Sequence, residues 1–188
     1  MSSPSDTLAV ENVVASTSIG QELDLETLAD DLPTTDYAPD HFPGLVYRTQ
    51  NPQAAALIFR SGKVVCTGAQ SATAVKDALE IFFQELRHLG IHVDESPEIT
   101  IENMVTSGDL DERLNLNAIA IGLGLANIEY EPEQFPGLVY RLDDPPVVVL
   151  LFGSGKLVIT GAQTVEDAET ALGTVQSRLK NLDLLEQR

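Results

Sequence analysis

Four kinds of side chain occur in this chain as matched pairs, and their chemistry is that of recognition. Asn12 and Asn103 carry amide N–H donors, and Thr67 and Thr160 carry hydroxyls. Phe42 and Phe59 are matched by Phe135 and Phe152, flat rings able to wedge into a stack. Arg48, Lys63 and Ser61 are matched by Arg141, Lys156 and Ser154, groups suited to phosphate oxygens. Covalent chemistry has no comparable set. His41, His88 and His92 have no spacing for a metal or a triad and read as surface residues. The lone Cys66 excludes an internal disulfide and a cysteine-rich zinc site, and reads as a small core residue. No catalytic residue, metal or cofactor is expected.

The pairs arise from a duplication. Phe42-Pro43-Gly44-Leu45-Val46-Tyr47-Arg48 returns as Phe135-Pro136-Gly137-Leu138-Val139-Tyr140-Arg141, a shift of 93. Between 42–70 and 135–163, 18 of 29 positions are identical without a gap. The unit is about half the chain, longer than the roughly 20–50 residues of a solenoid repeat. It implies two similar halves about a pseudo-two-fold axis, and a target that is itself nearly two-fold. The expected boundaries are a flexible N-terminus at 1–7, repeats at 8–93 and 98–182, and a tail at 183–188.

Charge is distributed unevenly between these segments and the rest. The chain has a formal net charge of −18. Windows 42–70 and 135–163 hold five basic and two acidic residues, whereas the remainder holds six basic and 27 acidic. The duplicated core therefore nets +3 and the remainder −21. Strands carry few charges in general, which explains missing acids better than retained bases. The acidic remainder suits a cytosol of very high salt, where like-charge repulsion is screened. No apolar run approaches the ~18 residues of a membrane span, and no signal peptide is evident at the N-terminus. An intracellular location is expected.

The elements that would position these residues recur in one order. Alternating strands at 10–16 and 101–107 lead into short helical stretches bearing Leu23, Leu25, Leu28 and Leu32, then Leu114, Leu116, Ile119 and Leu123. Three strands follow in each half, at about 44–49, 54–60 and 63–69, and at 137–142, 147–153 and 156–162. Ser61-Gly62 and Ser154-Gly155 suggest two-residue hairpins. A long helix closes each half, capped by Ser71 and by Thr164, the latter with Asp167 completing a capping box. Glu22, Asp24 and Glu26 read as a solvated helix face, and Asp143-Asp144 as a turn.

These strands are apolar on both faces, and the sequence supplies helices for only one. The other must meet a second subunit or serve as a binding surface. Period two groups Asn12, Val14, Leu57, Phe59, Val65 and Thr67 on one face, and Asn103, Val105, Leu150, Phe152, Val158 and Thr160 on its counterpart. Ile58, Val64 and Cys66 fall on the helix side. Such a face fits the minor groove of A·T-rich DNA, which offers a few acceptors and an otherwise undemanding floor. A G·C pair adds an amino group that an apolar face would bury unpaired.

At this point the residues resemble a known family, the TATA-box-binding proteins of archaea and eukaryotes. The resemblance covers roughly 8–182. It is carried by Glu11-Asn12-Val13-Val14-Ala15-Ser16, the Phe-Pro-Gly-Leu-Val-Tyr-Arg motif, Leu57-Ile58-Phe59-Arg60-Ser61-Gly62-Lys63 and Val65-Cys66-Thr67-Gly68-Ala69, each with its second copy. It implies an α+β saddle of two repeats, a curved antiparallel sheet of about five strands per half with helices on the convex face. It implies a general initiation factor, here of an archaeal halophile, that binds and bends TATA-box DNA. Phe42 and Phe59 would insert at one end of the element, and Phe135 and Phe152 at the other. Asn12, Asn103, Thr67 and Thr160 would meet the central base pairs. The loop holding Glu131, Glu133 and Gln134 would contact transcription factor B on the way to a complex with RNA polymerase. The location would be the nucleoid in the cytoplasm.

Two departures from the family stand out. Gln70 and Gln163 occupy places where it often has lysine, and the first long helix carries only Lys76 and Arg87 as basic residues. Weak phosphate neutralisation and a flattened or reversed salt dependence are expected. Two other classes compete. An apolar-face interaction module would form a homodimer without DNA. A nucleic-acid-binding domain of a processing enzyme would need a carboxylate pair or an activated nucleophile on the open face, and none appears there.

Overall fold

Alternation of buried and half-exposed side chains builds the strands of this protein. The computed structural model describes residues 8–186; the N-terminal expectation for 1–7 and the last two residues of the tail lie outside the described residues. The first strand, β1 (Ala9–Ser18), buries Val13, Ala15 and Thr17 and half-exposes Asn12, Val14 and Ser16. The chain continues through α1 (Leu25–Asp31), β2 (Thr35–Asp36), β3 (Leu45–Gln50), β4 (Gln53–Ile58), β5 (Lys63–Ala69) and α2 (Ala72–His88). The series then repeats as β6 (Thr100–Asp109), α3 (Leu116–Leu123), β7 (Ile128–Glu129), β8 (Leu138–Arg141), β9 (Val148–Leu151), β10 (Lys156–Ala162) and α4 (Val165–Asn181). The chain forms two compact units, residues 12–102 and residues 103–186 with 8–11.

In the first unit the strand order is β2-β3-β4-β5-β1, and in the second β7-β8-β9-β10-β6. Within each unit every strand pair is antiparallel. The fifth strand of each half is the two-residue β2 or β7, too short to leave a period in the sequence.

The long helices cover one face of each half-sheet. α2 buries Val75, Ala78, Leu79, Phe82, Phe83 and Leu86, and packs on β3, β4 and β5. Leu45, Ile58, Val64 and Cys66 meet it from the sheet, each nearly free of solvent. Phe82 stacks at a tilt on Tyr47 with centroids 5.5 Å apart. Burying one such ring contributes roughly 2–3 kcal/mol. α4 does the same in the second unit with Ala168, Ala171, Leu172, Val175 and Leu179. Here Arg178 lies over Tyr140, 5.7 Å from the ring centre, and donates a hydrogen bond to its hydroxyl. Leu89, beyond the buried stripe, is the exposed C-cap of α2.

Local chemistry sets the ends of the helices. Ser71 Oγ accepts the N–H of Ala74 at 3.0 Å, and Thr164 Oγ1 that of Asp167 at 3.1 Å. Asn115 caps α3 in the same way. Asp24 is not merely a solvated acid: its carboxylate caps α1, accepting the N–H and hydroxyl of Thr27.

The hairpins after Phe59 and Phe152 differ from the two-residue expectation. Phe59 N–H donates to Lys63 O, and Gly62 N–H to Phe59 O, so Arg60, Ser61 and Gly62 all lie in the loop. Gly62 takes φ +91°, as a three-residue loop of this kind requires of its last member. Gly155 repeats this at φ +95°.

Candidate nucleic-acid interface

The second face of each half-sheet is left without a helix. Across β3, β4, β5 and β1, Val46 is opposite Leu57, Leu57 opposite Val65, and Val65 opposite Ser16. One step along, Arg48 is opposite Ala55 and Ala55 opposite Thr67. Apart from the exposed Arg48, these residues are all half-buried, as are Asn12 and Val14. The second unit repeats the rows. Val139, Leu150, Val158 and Ser107 form one, and Arg141, Val148 and Thr160 the other. Every minor-groove residue expected from the sequence therefore shares the open face of its own repeat. Val46, Ala55 and Ser16, with Val139, Val148 and Ser107, are additions. Period two counted from the buried Tyr47 would have found Val46.

The asparagines are held by a geometry invisible in the sequence. The Oδ1 of Asn12 accepts the N–H of Gly68 at 2.7 Å, which turns the amide nitrogen the other way. That Nδ2 donates to Thr67 Oγ1 at 3.1 Å. Asn103 does the same with Gly161 N–H at 2.6 Å and Thr160 Oγ1 at 3.2 Å. Gly68 and Gly161 sit at φ +94° and +97°, where the register of β5 on β1 and of β10 on β6 shifts by a bulge. The bulge frees a backbone N–H from the ladder, and the asparagine takes it up. Each amide keeps one N–H for an outside acceptor, while the Thr67 hydroxyl also donates back to Asn12 Oδ1 at 3.4 Å.

The aromatic pairs meet as edge and face. Phe42 and Phe59 have centroids 5.9 Å apart at 69°, and Phe135 and Phe152 6.0 Å apart at 72°. Phe42 and Phe135 are 38% and 40% exposed although apolar. The glycine of each Phe-Pro-Gly motif makes room for these rings. A Cβ on Gly44 would lie 2.7 Å from Phe42 and 3.2 Å from Phe59, and one on Gly137 2.8 Å from Phe135 and 2.9 Å from Phe152.

The basic residues lie outside this apolar field and differ between repeats. Arg48 has no acidic partner within 4 Å among the described residues, while Arg141 lies 3.9 Å from Glu129. Lys63, whose N–H reaches Ser61 Oγ at 3.4 Å, shares a cleft with Asp94 and Glu98. Lys156 and Ser154 repeat the hydrogen bond. Arg87 is bound to Glu80 at 3.1 Å and to the carbonyl of Asp94, which thins the basic helix further.

Glu131, Glu133 and Gln134 are exposed on a turn in which Glu131 O accepts the N–H groups of Gln134 and Phe135. The turn thus anchors the backbone of Phe135. Burial pushes the Cys66 thiol up to about 11, as expected of a core residue. The His92 ring lies 3.4 Å from Asp94 on the surface, and its backbone carbonyl accepts from Gln21 Nε2 at 3.0 Å. Among the described residues no three His, Cys, Asp or Glu side chains are grouped to hold a metal.

Fold and face define a duplicated antiparallel α+β protein that presents apolar sheet surfaces edged with donors and rings. The family model for "Transcription factor TFIID (or TATA-binding protein, TBP)" matches residues 7–89 and 98–182, and the chain belongs to this family. It is 68% identical over 185 residues to TATA-box-binding protein 1 of Haloferax volcanii, covering 98% of both chains. It is 65% identical over 186 residues to TATA-box-binding protein E of Halobacterium salinarum, covering 99% of this chain and all of that one. Among solved structures, the Methanococcus jannaschii TBP superposes with a TM-score of 0.83 at 52% identity, over 93% of this chain and 99% of that chain. The fold implied by the sequence resemblance is the one found. The two curated relatives come from halophilic archaea, in keeping with the acidic composition.

Proposed function

We propose that this chain is a general transcription initiation factor that binds the minor groove of a TATA element, bends it and nucleates assembly of the initiation complex. The names of its relatives support the element. The observation that carries the reading is the repeated Asn–Thr–Gly clamp set in an apolar face. It directs a few donors toward a surface that offers only acceptors, which describes the floor of an A·T minor groove. Each repeat meets one half of the element. Phe42 with Phe59, and Phe135 with Phe152, wedge at its outer steps; unstacking costs a few kcal/mol per step and is offset by a duplex that wraps more protein. Arg48, Ser61 and Lys63, with Arg141, Ser154 and Lys156, meet phosphates. Neither a metal nor a cofactor takes part.

Glu131, Glu133 and Gln134 dock transcription factor B, which brings RNA polymerase. Their exposure and their position directly before Phe135 support this. Glu131→Lys with Glu133→Lys should leave the protein–DNA complex intact and abolish the ternary complex in a mobility-shift assay. Without DNA, the apolar faces would seat a second copy of the chain. Its mass in solution should then fall to that of a monomer per duplex when TATA DNA is added. No described helix is long and apolar enough to cross a membrane. We place the protein at the nucleoid in the cytoplasm.

The deciding experiment is binding to a TATA duplex against a G·C-substituted one in molar KCl. A strong preference for the first is expected, and equal binding would refute the function.

A further inference from the structure

The two open faces differ beside the clamp at one matched position. Thr67 is opposite Ala55, itself opposite Arg48. Thr160 is opposite Val148, itself opposite Arg141. The flanking residues are the same in both repeats, and only the alanine and valine differ. Ala55 and Val148 are both half-buried on the open face. Ala55 lines a cleft of about 650 Å³ with Thr67, Gly68 and Arg48. Val148 places two further carbons at the same point of its row.

Resting on the DNA-binding function above, we propose that Ala55 and Val148 give the two repeats unequal tolerance for a G·C pair. In the minor groove G·C differs from A·T by the guanine 2-amino group, which stands up from the floor. Beside Ala55 there is room for that group. Thr67 Oγ1, which accepts one hydrogen bond from Asn12, keeps a second lone pair for it. Beside Val148 the isopropyl group fills the room through which the amino group would reach Thr160 Oγ1, so the amino group is buried against carbon and unpaired. The first repeat thus accepts one G·C pair and the second rejects it. An element carrying G·C in one half is bound in one direction only, so Ala55 and Val148 are specificity-determining residues that orient the protein.

The test uses three symmetric-length duplexes: all A·T, one G·C pair moved stepwise through one half, and the same pair at matched positions of both halves. At the position facing these residues, one G·C should cost less than about threefold in affinity, because the protein turns to present Ala55 to it. The second should cost roughly tenfold or more, within the usual range for a rejected base pair. Val148→Ala should shrink the second penalty to the size of the first, and Ala55→Val should raise the first to the size of the second. Circular dichroism confirms that each variant is folded. Equal penalties in the parent protein, or penalties unchanged in both variants, would overturn the inference while leaving TATA binding intact. Absence of any A·T preference in the parent would overturn the function and this inference with it.

Discussion

Asn12 and Thr67, 55 residues apart, are joined by a 3.1 Å hydrogen bond whose direction is set by a third group, the N–H of Gly68. Because Gly68 fixes Oδ1, the amide N–H that Thr67 does not take is left for an outside acceptor. Asn12→Asp tests this. The carboxylate still accepts from Gly68 but has no N–H to give, and it brings negative charge to a face meant for acceptors. TATA affinity should fall by about tenfold or more, as expected when a donor facing a buried acceptor is lost. Asn12→Asp with Asn103→Asp should lose most of the A·T preference. Gly68 is exposed, so thermal stability should change by no more than about 1 kcal/mol. A large loss of stability with affinity intact would make the asparagine a structural residue.

Phe59→Ala and Phe152→Ala separate bending from base preference. Each removes the half-exposed partner of an edge-to-face pair, at a folding cost of about 1 kcal/mol. The donors beside the base edges are untouched. Fluorescence transfer between the duplex ends should report a much smaller bend, while the ratio of TATA to G·C affinity falls less. An unchanged bend would rule out the wedge role.

Much of this was legible in the sequence, because the duplication gave two readings of each element. Period two sorted Leu57, Val65 and Thr67 from Ile58, Val64 and Cys66, and the structure keeps that division. What stayed hidden depended on atoms from distant segments. The role of Gly68 needs the bulge against β1, and the role of Gly44 needs the rings of Phe42 and Phe59 in place. Asp24 looked like one more surface acid because a cap is defined by the start of its helix, and α1 is only seven residues long. β2 and β7 have two residues each, fewer than one period of any pattern.

Gly62 and Gly155 should tolerate no side chain. A Cβ on Gly62 would lie 2.2 Å from the backbone oxygen of Gln21, and one on Gly155 2.2 Å from that of Glu112. Neither neighbour can swing aside as a side chain could. Gly62→Ala adds this clash to the strain of positive φ, and should cost more than about 2 kcal/mol. That is a fall of roughly 5 °C or more in the melting temperature for a chain of this size. Gly20, at φ +82° with nothing within 4 Å, is the control. Gly20→Ala should cost only the strain, about 1 kcal/mol. Equal losses at both sites would discount the clash.

Stability should fall at both extremes of pH, for different reasons. Burial raises the Cys66 thiol from 9.0 to about 11 and raises the Tyr47 phenol, assisted there by Glu85. The unfolded chain ionises these groups first. The Cys66 contribution is complete below pH 9 and is lost as pH rises toward 11, while that of Tyr47 is complete below 10.0 and is lost above it. At the acid end, the N–H and then the hydroxyl of Thr27 lower the Asp24 carboxyl below 3.8. That cap is present above its unfolded value and is lost as pH falls through the folded one. Urea midpoints across pH should show both declines. Cys66→Ser should flatten part of the alkaline one, and an unaltered alkaline limb would assign it to Tyr47 instead.

The response of DNA binding to salt should be the reverse of the usual one. A protein that neutralises phosphates with fixed cations releases bound ions, and its affinity falls steeply as salt rises. Here few cations are free for that role. Arg87 is tied to Glu80, Arg141 lies near Glu129, and Lys63 shares its cleft with Asp94 and Glu98. With a net charge of −18, bringing this chain to a duplex concentrates negative charge. Fewer cations are then released when the complex forms, which flattens the fall with salt, and where cations are taken up instead mass action makes the complex tighter as salt rises. The apolar face adds to this, since contact between carbon surfaces does not weaken with ionic screening. Affinity for a TATA duplex, measured from about 0.1 to 2 M KCl, should stay level or increase over a range in which ordinary counterion release costs several orders of magnitude. Reversing Asp94 and Glu98 to lysine should restore a falling slope. A steep fall in the parent protein would mean that Arg48, Lys63, Arg141 and Lys156 neutralise phosphates as ordinary fixed cations despite their acidic neighbours.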